Sequence, residues 1–393
     1  MRIRIEKLVH GGSGMTRTQE GVVFVNKVLP DELVEVEIVE KKKDYANARL
    51  IEVLEASPHR TVPTCPNFYS VGCCSWDHID YPAQLALKEA IIWESLKRLG
   101  GIEFDRPIDR IAAEPTGYRL RAGFHVSNHM LGFVQERTHQ VVPVSECAAL
   151  MPELNEFIRE ANRALKKPKL QDTESVRAVA SPETGEVAAS FRSSRHRTSW
   201  GDHLPRIHIM KTEYRLRPDN FFQPNRYLLE KMGAEVVKAT RHGEIILDLF
   251  CGSGFFSLLM ARQAAKVVGV DRRSVSNAQW NARRNGIDNV EFVKASALSF
   301  LTKSPFDADT VVLDPPRKGT GKAIVKKVVT HSPNTIVYVS CNPATFAAEA
   351  RAILDGGYNL RSLRFVDQFP NTHHIETTAV FDRNDLKQAT FAV

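Results

Sequence analysis

Cys341 stands in YVSCNPATF (residues 338–346), where a run of apolar and β-prone residues, Thr335 to Val339, gives way to Asn342 and Pro343. A structural cysteine packs inside an element. A thiol where a strand of an open α/β sheet ends lies on the rim that takes ligands. The C5 carbon of a pyrimidine is a reactant that needs such a thiol. It is a poor nucleophile until a thiolate adds to C6 and moves electron density onto C5. After C5 has taken up a methyl carbon it must lose its proton before β-elimination can free the sulfur. That chemistry asks for one nucleophile and one base. The thiol, with an ordinary pKa of about 8.5, also needs local activation. The candidate base is Glu376 in QFPNTHHIETTAVF, at the start of a strand. Residues two apart on a strand share a side, so His374 points with Glu376 and would orient it or touch a phosphate backbone. A glutamate at a strand start is ordinarily solvated; Cys341 is what singles this one out.

The elements that must position these groups begin near residue 216. EIILDLF, KVVGVD, VEFVKA, DTVVLD and TIVYVS read as strands, with helices near 255–263, 274–285, 321–329 and 345–354. Apolar strands alternating with helices imply an α/β, Rossmann-like parallel sheet covered on both faces. The first strand runs into LDLFCGSGFF, a glycine-rich turn that lets a ligand approach the backbone. The second ends in Asp271, placed to bind the two hydroxyls of a ribose. The turn is D-x-F-x-G-x-G rather than a pyrophosphate-binding G-x-G-x-x-G. This points to an adenosine cofactor without a pyrophosphate, S-adenosylmethionine, with a dinucleotide as the alternative. Ser296 holds the place after the third strand where an acid would usually meet an adenine, so no adenine contact is expected there. The fourth strand ends at Asp314 in VVLDPPRKG, where two prolines make a stiff turn. Arg317 follows where amino-methylating enzymes often carry an aromatic, which argues against exocyclic amine chemistry.

The chain has 393 residues, room for two to four domains, with 43% hydrophobic residues and a net charge of +7. A basic balance suits a polyanion. There is no run of eighteen apolar residues, and the N-terminal MRIRIEKLVHGG alternates like a strand. No membrane span and a cytoplasmic location are therefore expected. Residues 1–56 read as all-β, a small OB-like barrel, with Lys41, Lys42 and Lys43 in a turn or against phosphates. Asp80 is placed to cap a helix over residues 81–99, with Leu85, Ile92, Leu96 and Leu99 on one face. The stretch to about 215 mixes strands with a helix near 154–165 and carries Arg119, Arg121, Arg192, Arg195 and Arg197, a clustered subset of which would form a basic groove. Of six cysteines, Cys65, Cys73 and Cys74 lie within ten positions. In a reducing compartment that favours a metal or cluster site over disulfides.

Taken together, HGGSGMTR and FVNKVLPDE, FFQPN, LDLFCGSGFFS, VVLDPPRKG, VSCNPATF and FPNTHHIE resemble the TrmA/RumA-type family of RNA 5-methyluridine methyltransferases over nearly the whole chain. The resemblance implies a TRAM barrel at 1–56, an α+β central domain at 57–215 and a methyltransferase domain at 216–393. It implies Cys341 as nucleophile, Glu376 as base, and Gln223, Phe250, Asp271 and Asp314 around the S-adenosylmethionine or the target base. Many members that act on ribosomal RNA hold an iron–sulfur cluster on C-x5-C-G-G-C and a distant cysteine. Here Cys65, Cys74 and Cys147 match, Val71 replaces the second cysteine and Cys73 replaces a glycine. Four thiols remain for a 4Fe–4S cluster, with zinc or no metal as alternatives. Neighbouring side chains of an extended backbone point apart, so adjacent Cys73 and Cys74 need a looped chain to serve together.

The resemblance makes RNA the partner, with no obligate protein partner. 23S ribosomal RNA is the expected substrate, because the barrel and cysteine segment go with ribosomal members and compact tRNA enzymes lack them. Phe68, Tyr69 and Trp76 are candidates for stacking on bases or for the core. The rival readings are a tRNA enzyme, a non-catalytic RNA-binding protein with a methylase fold, a DNA cytosine methyltransferase and an iron–sulfur redox protein. The DNA enzymes place their cysteine after proline, whereas Cys341 follows Ser340.

Overall fold

The computed structural model describes residues 1–135, 138–303 and 307–385. Its first sheet has six strands, and its two edges are neighbours in the chain: Arg2–Arg4 pairs with Leu33–Lys41, and Lys7–Leu8 pairs with Gly14–Thr18. One extended N-terminal stretch thus closes the sheet into a barrel, and Ile3, Ile5, Val23, Val25, Val28, Val34 and Val36 fill it. The buried carboxylate of Glu32 forms a two-point pair with Arg60 (2.5 and 2.8 Å), tying the barrel to the segment that follows. Of the lysines in the turn region, Lys41 pairs with Glu20 and Lys42 with Glu40 on the exposed edge.

A second six-stranded sheet, wholly antiparallel, runs Val141–Pro143, Met130–Val134, Arg121–Ser127, Ser175–Ala180, Val187–Arg192, Arg197–Trp200. The helix Pro152–Ala164 lays Leu154, Phe157, Ile158 and Ala161 into the same core as Phe124, Val176 and Phe191.

The catalytic sheet has eight strands. Val290–Lys294, Lys266–Asp271, Ile245–Leu249, Thr310–Leu313 and Thr335–Ser340 are parallel in that order. Glu376–Arg383 then enters antiparallel, between Thr335–Ser340 and Tyr358–Val366. The last strand, Asp109–Ile111, comes from the segment ahead of the antiparallel sheet and pairs with Tyr358–Val366. Helices Leu229–Lys238 and Ala297–Lys303 lie outside the sequence expectation. The second begins where Ser296 Oγ accepts the Ser299 N–H at 3.1 Å. Ser296 therefore has a capping task that an acid also performs, which accounts for a hydroxyl at that place.

The helix Tyr81–Leu99 starts as its sequence implies, with Asp80 accepting from the Ala83 N–H at 2.8 Å. It packs on the helix Pro343–Asp355, with Ile92 and Leu96 in one cluster with Phe346, Ala347 and Ala350. Leu99 is 58% exposed rather than on the buried face; Lys88 occupies that face instead, fully buried. Its ammonium meets the buried carboxylate of Asp367 at 2.6 Å and the carbonyl of Phe369 at 3.0 Å. Tyr81 donates to the other Asp367 oxygen at 2.9 Å. Burial drives the Lys88 pKa down and the Asp367 charge opposes it.

Removing one member of a buried pair strands the other charge. Lys88→Met is expected to lower the unfolding free energy by about 3–5 kcal/mol in a denaturant titration, and Lys88→Met/Asp367→Leu to recover most of it. An unchanged midpoint in the single variant would show that the pair contributes nothing.

Candidate active site

Register brings the nucleophile and base candidates together. The last pair between Thr335–Ser340 and Glu376–Arg383 is Ser340 with Thr377, so the next positions outward are Cys341 and Glu376. Beyond Cys341 the chain turns at once into a helix. Asn342 Oδ1 caps it, accepting from Ala344 N at 3.0 Å and Thr345 N at 3.3 Å, with Pro343 at the first position. Asn342 Nδ2 also donates to the Arg317 carbonyl at 3.1 Å, fixing the DPPRKG turn beside the thiol.

Cys341 is half-buried and Glu376 buried. Burial pushes the Cys341 thiol up to about 12; the nearby Glu376 and Asp314 charges add to this and Arg317 opposes it. Burial likewise holds the Glu376 carboxyl well above the carboxylate range, with Asp314 adding and Arg317 opposing. Asp314 keeps an edge of open surface, yet dense surroundings push it up to about 7, Asp248 adding to the shift. Gln223 Nε2 donates to Asp314 Oδ2 at 3.1 Å. Burial thus disfavours the charged forms of Cys341, Glu376 and Asp314 around the Arg317 guanidinium.

His374 does not reach Glu376 in any hydrogen bond of the structure. Its ring nitrogens lie 2.5 and 3.0 Å from Arg317 Nη2, and burial, the neighbouring His373 and Arg317 push it down to about 2. The neutral imidazole seats the guanidinium near the thiol. Glu349 on the helix Pro343–Asp355 was missed by sequence reasoning. It accepts from Thr320 Oγ1 (2.7 Å), Gly321 N (2.8 Å) and Tyr338 OH (2.5 Å), and so holds the loop after DPPRKG. Nothing in a local pattern marks a glutamate as inward-facing in an alanine-rich helix.

The glycine-rich turn forms a cradle. Gly252 donates to Asp271 Oδ2 at 3.1 Å and Arg273 N to Oδ1 at 2.6 Å. Gly254 has φ +80°, and a Cβ there would lie 3.0 Å from the Phe292 ring and 3.1 Å from Ala278 Cβ. Phe250 takes φ +70°, a region that non-glycine residues enter at a cost and that collects at functional sites. Asp248, fully buried beneath the turn, is pushed up to about 7 by burial and contacts Ser257 closely; its Oδ1 has no partner. Phe250, Asp271 and Asp314 stand at the ends of neighbouring strands, and Ser253 Oγ in the glycine turn donates to the Phe221 carbonyl at 2.8 Å, holding the FFQPN segment that carries Gln223. An orphaned acid, an open glycine turn and a carboxylate at the end of the neighbouring strand fit an adenosine cofactor. Cys251 is packed under this turn, and its thiol is driven well above its ordinary value by burial.

The four other thiols meet away from the sheet. Cys74 interacts with Cys147, Cys65 and Cys73, which drives its pKa up, while the same interactions pull Cys65 down to about 7 and Cys147 to about 6. The sulfurs of Cys73 and Cys74 are 3.8 Å apart. The backbone from Cys73 to His78 is a continuous turn rather than extended, and that lets adjacent cysteines face one way. Among the described residues no three side chains surround a ready-made metal position. Thiols are the donor type that tetrahedral zinc and iron–sulfur clusters take, so the four cysteines match such a group in chemistry and not in arrangement.

Phe68 and Trp76 are core residues, 2% and 0% exposed, and unavailable for stacking. Tyr69 is exposed, with Lys27 Nζ 5.3 Å from its ring centroid. Arg192 and Arg197 converge with Arg177 on the single carboxylate of Asp219. Arg121 lies over the Phe221 ring at 5.5 Å, and Arg195 stands apart in an exposed turn.

The family described as tRNA (Uracil-5-)-methyltransferase matches residues 201–384, and the TRAM domain matches residues 1–51. A protein of Aquifex aeolicus described as an uncharacterized RNA methyltransferase is 33% identical, over 98% of this chain and 99% of its own. The 23S rRNA (uracil(1939)-C(5))-methyltransferase RlmD of Shewanella amazonensis is 33% identical, over 97% of this chain and 95% of its own. The crystal structure of Pyrococcus abyssi tRNA (uracil-54, C5)-methyltransferase in complex with S-adenosyl-L-homocysteine superposes with a TM-score of 0.79 at 25% identity, covering 97% of this chain and 100% of that one.

With the thiol pushed up to about 12, its thiolate fraction grows about tenfold for each unit that the pH rises toward that value. Iodoacetamide labelling of Cys341, read by peptide mass mapping, is expected to climb about tenfold per unit from about pH 7 to about pH 9. A plateau in that window would mean the free protein already holds a thiolate.

Proposed function

The chain belongs to the TrmA/RumA-type family of S-adenosylmethionine-dependent RNA uracil-C5 methyltransferases, and we propose that its target is a uridine of 23S ribosomal RNA, methylated through Cys341 and Glu376. The observation that carries the mechanism is the register that sets these two side chains opposite each other. Cys341 gives up its thiol proton to solvent as Sγ bonds to C6 of the uracil, and the C5–C6 electron pair is displaced toward C5 and the adjacent carbonyl. The bound cofactor would supply a sulfonium methyl to C5, its S–CH3 bond breaking to leave the neutral thioether. Glu376 removes the C5 proton; the electrons of that bond restore C5–C6 as the Cys341–C6 bond breaks. Burial disfavours the charged form of Glu376, so once ionised it takes up a proton more readily than an exposed carboxylate does. Gln223 and Asp314 hold the target base or the methionine end of the cofactor, and Asp271 the ribose. A uridine in folded RNA leaves its stack to reach Cys341.

The choice of 23S ribosomal RNA rests on the RlmD relatives, which this chain matches along its length. Architecture does not separate the two RNA classes, because the Pyrococcus abyssi tRNA enzyme is covered over its whole length. A tRNA substrate is therefore the second reading. In either case Arg121, Arg177, Arg192 and Arg197 face the phosphate backbone, and Tyr69 a flanking base.

The four cysteines Cys65, Cys73, Cys74 and Cys147 are read as ligands of a 4Fe–4S cluster that takes no part in methyl transfer. Protein purified without oxygen is expected to carry about four irons per chain; about one zinc would replace this reading with a structural zinc site.

With labelled methyl donor, unmodified 23S ribosomal RNA is expected to take up label at a uridine C5; label in tRNA alone would replace the target. Cys341→Ala gives neither product nor a covalent RNA adduct. Glu376→Gln lets the adduct form and stalls its release, so that adduct persists on a denaturing gel while turnover falls at least about a hundredfold. Parental turnover in that variant would remove Glu376 as the base.

A further inference from the structure

The loop between the strands Tyr358–Val366 and Glu376–Arg383 ends at the base, and it has no regular structure of its own. Its outer side is held by the residues that directly follow the paired thiols. Ser75 Oγ accepts the His373 N–H at 3.1 Å and stands 2.9 Å from His373 Nδ1, so one hydroxyl holds both backbone and ring. Trp76 N donates to the Asn371 carbonyl at 3.1 Å. The indole of Trp76 donates to the Gly12 carbonyl at 3.2 Å, bringing in the barrel. Gly12 has φ +89°, and a Cβ there would fall 2.5 Å from His373 Cβ. On the inner side Gln84 grips Asn371 with two hydrogen bonds of 2.9 Å.

We propose that Ser75 and Trp76 are positioning residues for Glu376, through which the cysteine segment sets the place of the base. This rests on the assignment of Glu376 given above. His373 is three residues from Glu376, so the strap lies within about 10 Å of chain from the carboxyl. Placement errors of about 1 Å cost up to about a hundredfold in rate. Cys73 and Cys74 are bonded directly ahead of Ser75, so whatever gathers the four sulfurs also fixes the strap. The arrangement gives the thiol cluster a mechanical task in the reaction with no electron transfer.

The test is Ser75→Ala in the full chain, with amide hydrogen exchange, adduct level and S-adenosylhomocysteine affinity read together. Expected are faster exchange in residues 371–376, turnover lower by about ten- to a hundredfold, adduct accumulating as in Glu376→Gln, and unchanged S-adenosylhomocysteine affinity. Ser75→Thr, which keeps the hydroxyl, restores the parental behaviour. Cys74→Ala is expected to raise exchange in the same segment, a readout independent of catalysis. Parental exchange and turnover in Ser75→Ala would overturn the proposal, as would a loss of affinity and adduct together. If Glu376→Gln itself fails to trap adduct, the base assignment falls; if it traps and Ser75→Ala does not, only the strap falls.

Discussion

The antiparallel pairing of Thr335–Ser340 with Glu376–Arg383 is the constraint on which the site depends. Side chains alternate faces along a strand, so a slip of one residue would put Ile375 or Thr377 opposite the thiol and turn the carboxyl away. Both strands are buried along their length: Ile336, Val337, Tyr338 and Val339 on one, Ala379, Val380 and Phe381 on the other, each 2% exposed or less. A slipped register would move each of these side chains out of its packing. The apolar interior of the sheet therefore fixes where Cys341 and Glu376 stand relative to one another.

Burial has a second consequence at the same place. Asp314 raises Glu376, Glu376 raises Cys341, and Asp248 raises Asp314, so these groups cannot all ionise together. Arg317 is the cation facing them, and its seat against His374 depends on an imidazole that burial keeps neutral. A protonated His374 would set two positive charges in contact and push the guanidinium off. One neutral ring thus keeps a positive charge beside sulfur without adding a second.

Much of this was legible locally. The five parallel strands, the cap at Asp80 and the glycine turn follow from periodicity and turn chemistry, which act over a few residues. The pairing of Asp109–Ile111 with the far edge of the sheet has no such signature, since short strands gain their order only from partners. Lys88 shows the limit of reading a helix face. Spacing aligns it with Leu85, Ile92 and Leu96, yet a lysine reads as solvent-facing until Asp367, 279 residues away, supplies its counter-charge. Phe68 and Trp76 were ambiguous for the same reason, because an aromatic packs or stacks according to what lies above it. The adjacent cysteines looked incompatible under extended geometry, and the turn at Cys73 to His78 removes that objection. Gln223 stayed silent without the family, since its partner Asp314 lies 91 residues on.

The two irregular segments at the centre of the molecule explain why the chain's parts come as one piece. A stretch without helix or strand must find partners for its backbone elsewhere. The segment around Cys73–Trp76 finds some in loop 367–375, and that loop finds some in Ser75, Gln84 and Lys88. Ser75 and His373 are 298 residues apart, a closure that only the packing of the barrel, the helix Tyr81–Leu99 and the catalytic sheet can hold. Each segment is ordered in part by the other. Taken out of the chain, the eight-stranded sheet would lose its edge strand Asp109–Ile111 together with the clamp on loop 367–375, so residues ahead of residue 216 help to order the segment that ends at Glu376.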